Sequence, residues 1–235
     1  SSPAVSINAF NRSTHRNDLY FTLFKPAVGP HWDGNLKRFK LKFTDGNAEI
    51  VDAKDVAAIN QASGFFKDSA YSWWTDQSGD PDGGEVSKGG AAGQIATRKV
   101  YTYTGTAAPS NVTLTNSTHE FHENNTALTH TLLDIVGEDA AYRTSLIQWA
   151  RGIDVYDDDS DGDKTDARQL MGDPLHSEPA IIQYGGTEAD PDITAYVATN
   201  DGVLHAIDTK TGAEVFSFIP KETLALQKVV YENAY

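Results

Sequence analysis

The clearest pattern of alternating apolar and polar positions covers residues 35–44, NLKRFKLKFT. Phe39, Leu41 and Phe43 share one side of an extended chain, while basic side chains occupy the other side. This period of two predicts a half-buried β-strand. Asp45-Gly46 follows directly and predicts a tight turn at the end of the strand.

Residues 99–104, KVYTYT, predict a second strand because β-branched and aromatic side chains suit a pleated surface. The intervening residues 76–93 are rich in Gly, Asp and Ser and predict a long loop. Three of its acidic residues could form a cation site beside two glycines, although a polar loop is the simpler interpretation. These residues are Asp76, Asp80 and Asp82.

A helix is predicted over residues 138–151, EDAAYRTSLIQWAR. Tyr142, Leu146 and Trp149 recur at a helical spacing, acidic residues begin the segment, and Gly152 follows as a C-terminal cap. Two further helical segments are predicted at residues 128–136 and 221–232.

The last third of the chain predicts three short strands at residues 194–199, 203–208 and 214–219. Turn signals at residues 200–202, Asn-Asp-Gly, and 209–212, Thr-Lys-Thr-Gly, separate them. Three antiparallel strands joined by tight turns make most of one propeller blade. An exposed sheet edge promotes aggregation, so we expect a strand from elsewhere to pair with the outer edge of this meander.

The composition of the 235 residues narrows the function. The formal net charge of −14 disfavours nucleic acid as a partner. The absence of Cys excludes disulfides, thiolate metal sites and a Cys nucleophile. No run of 18 apolar residues predicts a membrane span. The acidic residues are concentrated in residues 154–166, which hold seven Asp and one Lys, a local charge of −6.

The acidic segment contains Asp157-x-Asp159-x-Asp161-Gly162, the first six positions of an EF-hand-type calcium loop. Side chains at positions one, three and five converge on one point when such a loop curls, and Gly at position six allows the sharp turn. Asp163 at position seven would supply its backbone carbonyl oxygen. Hard oxygen ligands favour Ca²⁺ over metals that prefer softer ligands.

The motif departs from an EF-hand at position twelve, where Arg168 replaces the bidentate Glu. The nearest carboxylate is Asp166 at position ten, which completes the predicted ligand set. The five predicted ligands are Asp157, Asp159, Asp161, Asp163 and Asp166. The alternative interpretation is a solvated acidic loop without a metal ion.

Two other clusters resemble active sites only superficially. His119 and His122 are three residues apart, whereas a zinc metalloprotease helix needs two His four apart. Residues 171–177, MGDPLHS, hold Asp, His and Ser together, but neighbours on an extended chain cannot orient each other as a triad. We interpret this segment as a turn leading into the first blade strand.

Residues 195–220 resemble a blade of the quinoprotein-like propellers, in which a Gly-x-Leu-x-Ala-x-Asp core is followed by Thr-Gly and an aromatic strand. Phe216 stands where those blades usually have Trp. The matching positions are Gly202, Leu204, Ala206, Asp208, Thr211 and Gly212.

The surrounding segments make the resemblance more specific. Residues 149–182, WARGIDVYDDDSDGDKTDARQLMGDPLHSEPAII, precede the blade and resemble the C-terminal domain of the type IV pilus PilY family of PilC-like tip adhesins. The upstream segments 8–26, 31–41 and 88–92 resemble the start of the same domain.

This resemblance implies a mainly β fold with a few helices, forming the opening part of a modified quinoprotein-like β-propeller with irregular insertions. Residues 1–150 would be its N-terminal part, with long loops and a helix. Residues 151–178 would be the calcium loop and connector, and residues 179–235 the first clear blade with a following helix.

The resemblance also implies a non-enzymatic, calcium-binding protein of type IV pilus assembly or retraction, twitching motility and surface adhesion. Such proteins are exported to the periplasm, outer membrane, pilus tip or cell surface. The implied partners are minor pilins at the pilus tip and host or abiotic surfaces.

Two alternatives stay open at this stage. One is a periplasmic dehydrogenase-like propeller that uses pyrroloquinoline quinone, which needs calcium in contact with the cofactor. The acidic loop precedes the blade and holds enough carboxylates for its own ion, which disfavours this alternative. The other is a generic calcium-stabilised adhesin module.

Overall fold

The fold was analysed in a computed structural model that describes residues 4–6, 17–96, 98–105 and 111–233. Part of the 8–26 segment quoted for the resemblance lies outside the described residues. The helices are α1 (Ala140–Ala150) and α2 (Leu226–Glu232). The strands are β1 (Ala4–Ser6), β2 (Asp18–Lys25), β3 (Asp33–Thr44), β4 (Asn47–Val51), β5 (Val100–Tyr101), β6 (Met171–Gly172), β7 (Ala180–Gly186), β8 (Pro191–Ala198), β9 (Leu204–Asp208) and β10 (Glu214–Phe218).

The strands form two open sheets within the described residues, so the mainly β class is confirmed. The first sheet has the order β1-β2-β3-β4, and β6 pairs with the beginning of β3. The second sheet has the order β5-β10-β9-β8-β7. These sheets do not make a closed ring of blades, and the propeller stays a prediction.

The predicted strand at residues 35–44 is confirmed as part of β3, and Asp45 and Gly46 turn into β4 with positive φ angles of 51° and 83°. The predicted burial of its apolar side holds only in part. Phe39 is fully buried, whereas Phe43 is 58% exposed. The reason is that β2 begins at Asp18, opposite Lys40, so the end of β3 pairs only with β4.

The second sheet contains the predicted meander as β8, β9 and β10 in antiparallel register. β7 adds a fourth antiparallel strand at one edge, after the turn predicted at residues 171–177. At the other edge β5 pairs in parallel with β10, so the expectation of a covering strand from elsewhere is confirmed. The predicted strand 99–104 is shorter than expected and is paired only at Val100–Tyr101.

An apolar cluster packs the two sheets together, with Leu36 and Met171 from the first and Ala195, Val197 and Ile207 from the second. Trp74 lies in this cluster and donates its indole N–H to the carbonyl of Thr209 at 3.1 Å. Gly212 has φ of +77°, and a Cβ there would lie 2.5 Å from Cγ of Trp74. Glycine in the turn between β9 and β10 therefore both reverses the chain and leaves room for the indole.

The helices follow their capping signals. α1 begins after Asp139, whose carboxylate accepts a hydrogen bond from the backbone N–H of Tyr142. It ends at Ala150 with Arg151 as its C-cap, and Gly152 follows with φ of 82°. α2 occupies the second half of the predicted segment 221–232, after a 3₁₀ turn at Lys221–Thr223. Within the described residues, neither helix has the length and apolarity that crossing a bilayer requires.

The predicted helix at residues 128–136 is wrong, because this segment is a succession of turns. Asp134 and Gly137 adopt positive φ angles of 55° and 105°, which a continuous helix excludes. Leu128, Leu133 and Ile135 are fully buried. Their spacing of five and two residues does not follow one helical face, and tertiary packing sets the conformation.

The loop at residues 76–93 wraps around a buried lysine. Lys37 is fully buried on β3 and its ammonium lies 2.9 Å from the carboxylate of Asp82. The same ammonium donates to the carbonyl oxygens of Asp82, Gly83 and Glu85 at 2.9, 3.1 and 2.7 Å. Asn35, two residues earlier, donates its amide to the carbonyl of Val86 at 2.8 Å. The cation that orders this loop is thus a side chain.

Replacing Lys37 with Met should lower the free energy of unfolding by about 3–5 kcal/mol, because the Asp82 carboxylate would stay buried without its counter-charge. Urea unfolding followed by circular dichroism measures the change. The matched control is Lys42→Met, which breaks the exposed ion pair with Asp55 and should cost at most about 1 kcal/mol. Equal losses in the two variants would contradict the proposed role of the buried ammonium.

Candidate metal site

The acidic segment is a loop closed at its base against the end of α1. Ile153 and Ala167 form an isolated antiparallel bridge. The backbone N–H of Arg168 donates to the carbonyl of Gly152 at 2.7 Å. One step inside, the N–H of Asp154 donates to the carbonyl of Asp166 at 3.1 Å. The helix end and the returning chain therefore hold both ends of the loop in a fixed position.

The backbone of the loop curls tightly within six residues. Asp157, Ser160 and Gly162 have positive φ angles of 58°, 63° and 90°. The carboxylate of Asp157 accepts a hydrogen bond from the N–H of Gly162 at 3.0 Å, across the mouth of the curl. The curl predicted from Gly162 at position six is thus present.

The curl brings together the carboxylates of Asp157, Asp159 and Asp161. One oxygen from each lies within 4.8 Å of the others. Three like charges at this separation repel each other, and a divalent cation between them would remove the repulsion. The donor set consists only of hard oxygen atoms, which fits Ca²⁺.

The two remaining predicted ligands contribute differently. The side chain of Asp163 accepts hydrogen bonds from the N–H and the hydroxyl of Thr165, at 2.8 and 2.6 Å, which lower the pKa of Asp163. A ligand from this position would therefore be the carbonyl oxygen, as predicted from the sequence.

Asp166 lies on the returning side of the loop, where its backbone carbonyl accepts from the N–H of Asp154, and it is outside the group of three converging carboxylates. Desolvation first, and then the charges of Asp161, Asp159 and Asp163, raise the pKa of Asp166. Its buried oxygen Oδ1 has no hydrogen-bond partner among the described residues. The converging oxygen atoms of Asp157, Asp159 and Asp161 fit calcium, whereas the structure does not bring the predicted ligand Asp166 into their group.

Arg168, at position twelve, is only 6% exposed. Its guanidinium lies 4.1 Å from the centre of the Trp149 ring, and Nη1 lies 3.4 Å from Nε2 of His31. Burial, and then the charge of Arg98, lower the pKa of Arg168 to about 10. The loop therefore has a cation anchored in the protein at the position where an EF-hand has its bidentate carboxylate.

A cleft of about 460 Å³ lies beside the loop, and its lining includes Asp158, Asp159, Asp166 and Arg168. Asp154 lies deeper, is 3% exposed, and accepts the backbone N–H of Asp158 at 2.9 Å. Burial and the neighbouring Asp154 raise the pKa of Asp158. The cleft thus gives solvent access to the acidic side of the loop.

The weaker candidate sites do not assemble in the described part of the chain. Asp82 pairs with Lys37, whereas Asp76 is exposed and bonded to Ser78, so the acidic residues of loop 76–93 form no cation site. His119 packs edge-on against Tyr103. Among the described residues, the Asp157, Asp159 and Asp161 group alone has three side chains placed for one ion.

Part of this chain is similar to two curated proteins. It is 38% identical to the type IV pilus biogenesis factor PilY1 of Pseudomonas aeruginosa (strain UCBPP-PA14), over 22% of this chain and 6% of that protein. It is 29% identical to the type IV pilus biogenesis factor PilY1 homolog of Xylella fastidiosa (strain Temecula1), over 23% of this chain and 6% of that protein.

These alignments show a partial, PilY1-like relationship. They span a small fraction of each relative's length, so they do not carry over the activity of the whole protein. No protein family profile matches the chain. No solved structure matches it.

Sequence reasoning missed the groups that support the loop. In the sequence, Arg168 is only a departure from the calcium-loop motif. No nearby residue indicates that His31 and Trp149 are its neighbours in the fold. Lys37 did carry a signal, because it shares the strand side of Phe39 and Leu41. A lone lysine on the apolar side of a strand predicts a buried counter-charge.

Gly162→Ala should destabilise the ion-free loop by about 1–2 kcal/mol, because its φ of +90° disfavours any side chain although nothing lies within 4 Å of the new methyl group. Amide hydrogen exchange of residues 154–168 measures the local opening. Gly93→Ala is the matched control, since it also has open space around the methyl group but no positive φ. Unchanged hydrogen exchange in Gly162→Ala would show that the positive φ at position 162 does not contribute to the stability of the loop.

Proposed function

We propose that this chain is the calcium-binding part of a non-catalytic protein associated with type IV pili. The carboxylate cluster of Asp157, Asp159 and Asp161 is the observation that carries the calcium assignment. The partial similarity to PilY1, whose name makes it a pilus biogenesis factor, supports the pilus assignment. The proposed fold is the opening part of a modified quinoprotein-like propeller, with the β7–β10 meander as its first clear blade.

Calcium would be held by the side chains of Asp157, Asp159, Asp161 and Asp166 and by the carbonyl oxygen of Asp163. The ion would supply positive charge at the centre of a segment that carries a local charge of −6. Binding to the folded state alone stabilises that state. Because the loop base is bonded to Gly152, this stabilisation would extend to the end of α1.

The proposed role is to set the shape of a surface that contacts other pilus components. In this view the protein is exported and acts at the pilus tip or cell surface, with minor pilins and host or abiotic surfaces as partners. Assembly, retraction, twitching motility and adhesion would then depend on the calcium-bound conformation. The proposal assigns no catalytic step to any residue.

The wild-type chain should bind one Ca²⁺ with a dissociation constant on the order of micromolar to millimolar, in the weaker half of that range because Arg168 replaces the bidentate ligand. Asp159→Ala should weaken binding at least tenfold. Asp161→Lys should abolish it and raise the ion-free melting temperature, because its ammonium would partly replace the ion. Isothermal titration calorimetry and thermal unfolding in EDTA measure these effects.

The controls are Mg²⁺ in place of Ca²⁺ and the variant Asp68→Asn, which removes an exposed carboxylate from another loop. Mg²⁺ should bind more weakly than Ca²⁺, because it demands a stricter geometry and gives up its water ligands reluctantly. Asp68→Asn should leave the calcium affinity unchanged. Calcium binding that survives Asp159→Ala at full affinity would identify the segment as a solvated acidic loop.

Purified minor pilins should be retained by the immobilised chain in calcium and released in EDTA, if the loop sets the shape of the contact surface. Asp159→Ala should reduce retention at low calcium, and Asp68→Asn should not. The two parts of the proposal fail separately. Pilins that bind under neither condition would remove the pilus assignment, whereas retention that ignores EDTA would remove only the control by calcium.

A further inference from the structure

His31 occupies the junction between the acidic loop, α1 and α2. Its ring lies edge-on to Trp149 of α1, with 5.2 Å between centroids. Its backbone N–H donates to the side-chain oxygen of Asn233, the C-cap of α2, at 3.0 Å. Its Nε2 lies 3.4 Å from Nη1 of Arg168, the residue that closes the loop base. His31 therefore contacts three separate parts of the fold, two through its imidazole and one through its backbone.

The contact with Arg168 fixes the protonation state of the imidazole. A guanidinium stays charged and has only donor groups. Nε2 of His31 must therefore be the acceptor, which places the single ring proton on Nδ1. Nδ1 is buried and has no hydrogen-bond partner in the described part of the chain. The geometry accommodates a neutral imidazole and gives the second proton of an imidazolium no acceptor.

The charged groups around His31 come from four elements. Arg168 opposes protonation, whereas Asp201 in the β8–β9 turn, Asp33 of β3 and Asp158 of the acidic loop favour it. Burial is the largest influence, and together with Arg168 it lowers the pKa of His31 below its ordinary value of 6.5. The three carboxylates therefore reduce the effect of burial and of the guanidinium without reversing it.

We propose that His31 makes the attachment of the acidic loop sensitive to pH, because protonation sets an imidazolium against the buried guanidinium of Arg168. A group with a lowered folded-state pKa binds more protons when the chain unfolds. Stability is then complete above the unfolded pKa of 6.5 and decreases as the pH falls below it. Mild acid should loosen the junction between the loop base, α1 and β3. The mechanism involves no metal ion.

The test compares the wild type with His31→Gln in EDTA, so that calcium plays no part. Glutamine keeps an oxygen acceptor for Arg168 and does not titrate. Between pH 7.5 and 5.5, the unfolding equilibrium constant of the wild type should rise severalfold relative to that of His31→Gln. At pH 5.5, one unit below the unfolded pKa, this relative rise in the unfolding equilibrium constant can reach at most about tenfold. His176→Gln, which removes an exposed imidazole, should behave like the wild type.

A histidine NMR titration of the wild type provides an independent measurement if His31→Gln fails to fold. The chain has seven His. The resonance of His31 is identified by nuclear Overhauser contacts between its ring protons and the Trp149 ring, whose centroid lies 5.2 Å away. It should titrate below pH 6.5. Titration at or above 6.5, or a His31→Gln variant with the full pH dependence of the wild type, would overturn the proposal.

Discussion

The buried guanidinium of Arg168 is the interaction on which the arrangement of the acidic segment depends. It stacks on Trp149 of α1, meets His31 from the segment before β3, and interacts electrostatically with Asp201 from the β8–β9 turn. Its own backbone closes the loop base. A charge in this position is costly to bury, and the surrounding carboxylates and the indole offset that cost. Arg168 thereby attaches the loop base to α1 and to the segment before β3.

A second buried charge network connects strands β9 and β10 to Arg98, in the segment before β5. Glu214 of β10 pairs with His205 at 2.6 Å and with Arg98 at 3.5 Å. Arg98 and His205 hold the pKa of Glu214 at about 2, against the effect of burial. Arg98 also donates to the carbonyl of Leu170, two residues after Arg168. Arg98 therefore connects β10 to the segment that contains Arg168 and closes the acidic loop.

The elements with local signals could be predicted from the sequence. β3, the β8–β10 meander and α1 follow from alternation, turn residues and caps that lie within a few residues of each other. The curl of the acidic loop was likewise predictable, because Gly162 and three aspartates at fixed spacing specify it. The wrong helix at residues 128–136 shows the limit of this reasoning, since burial of Leu133 and Ile135 against distant side chains decides that segment.

The supporting groups of the candidate site could not be predicted in the same way. Arg168 and His31 are separated by 137 positions, and only the completed fold brings them together. Asp166 was assigned from its position in the motif, yet its unpaired oxygen is visible only in three dimensions. Sequence spacing thus locates a loop, while its attachment depends on contacts between remote segments.

Lys37 and the acidic loop neutralise negative charge in opposite ways. The ammonium that binds Asp82 is covalently part of β3, so it cannot be removed by a chelator or exchanged for sodium. The carboxylates of Asp157, Asp159 and Asp161 carry no such tethered counter-ion and meet the solvent. The loop around Lys37 therefore needs no dissolved cation to balance its buried carboxylate. Under the proposed calcium binding, the acidic loop would take its counter-charge from the surroundings, and its rigidity would vary with the cations dissolved around it.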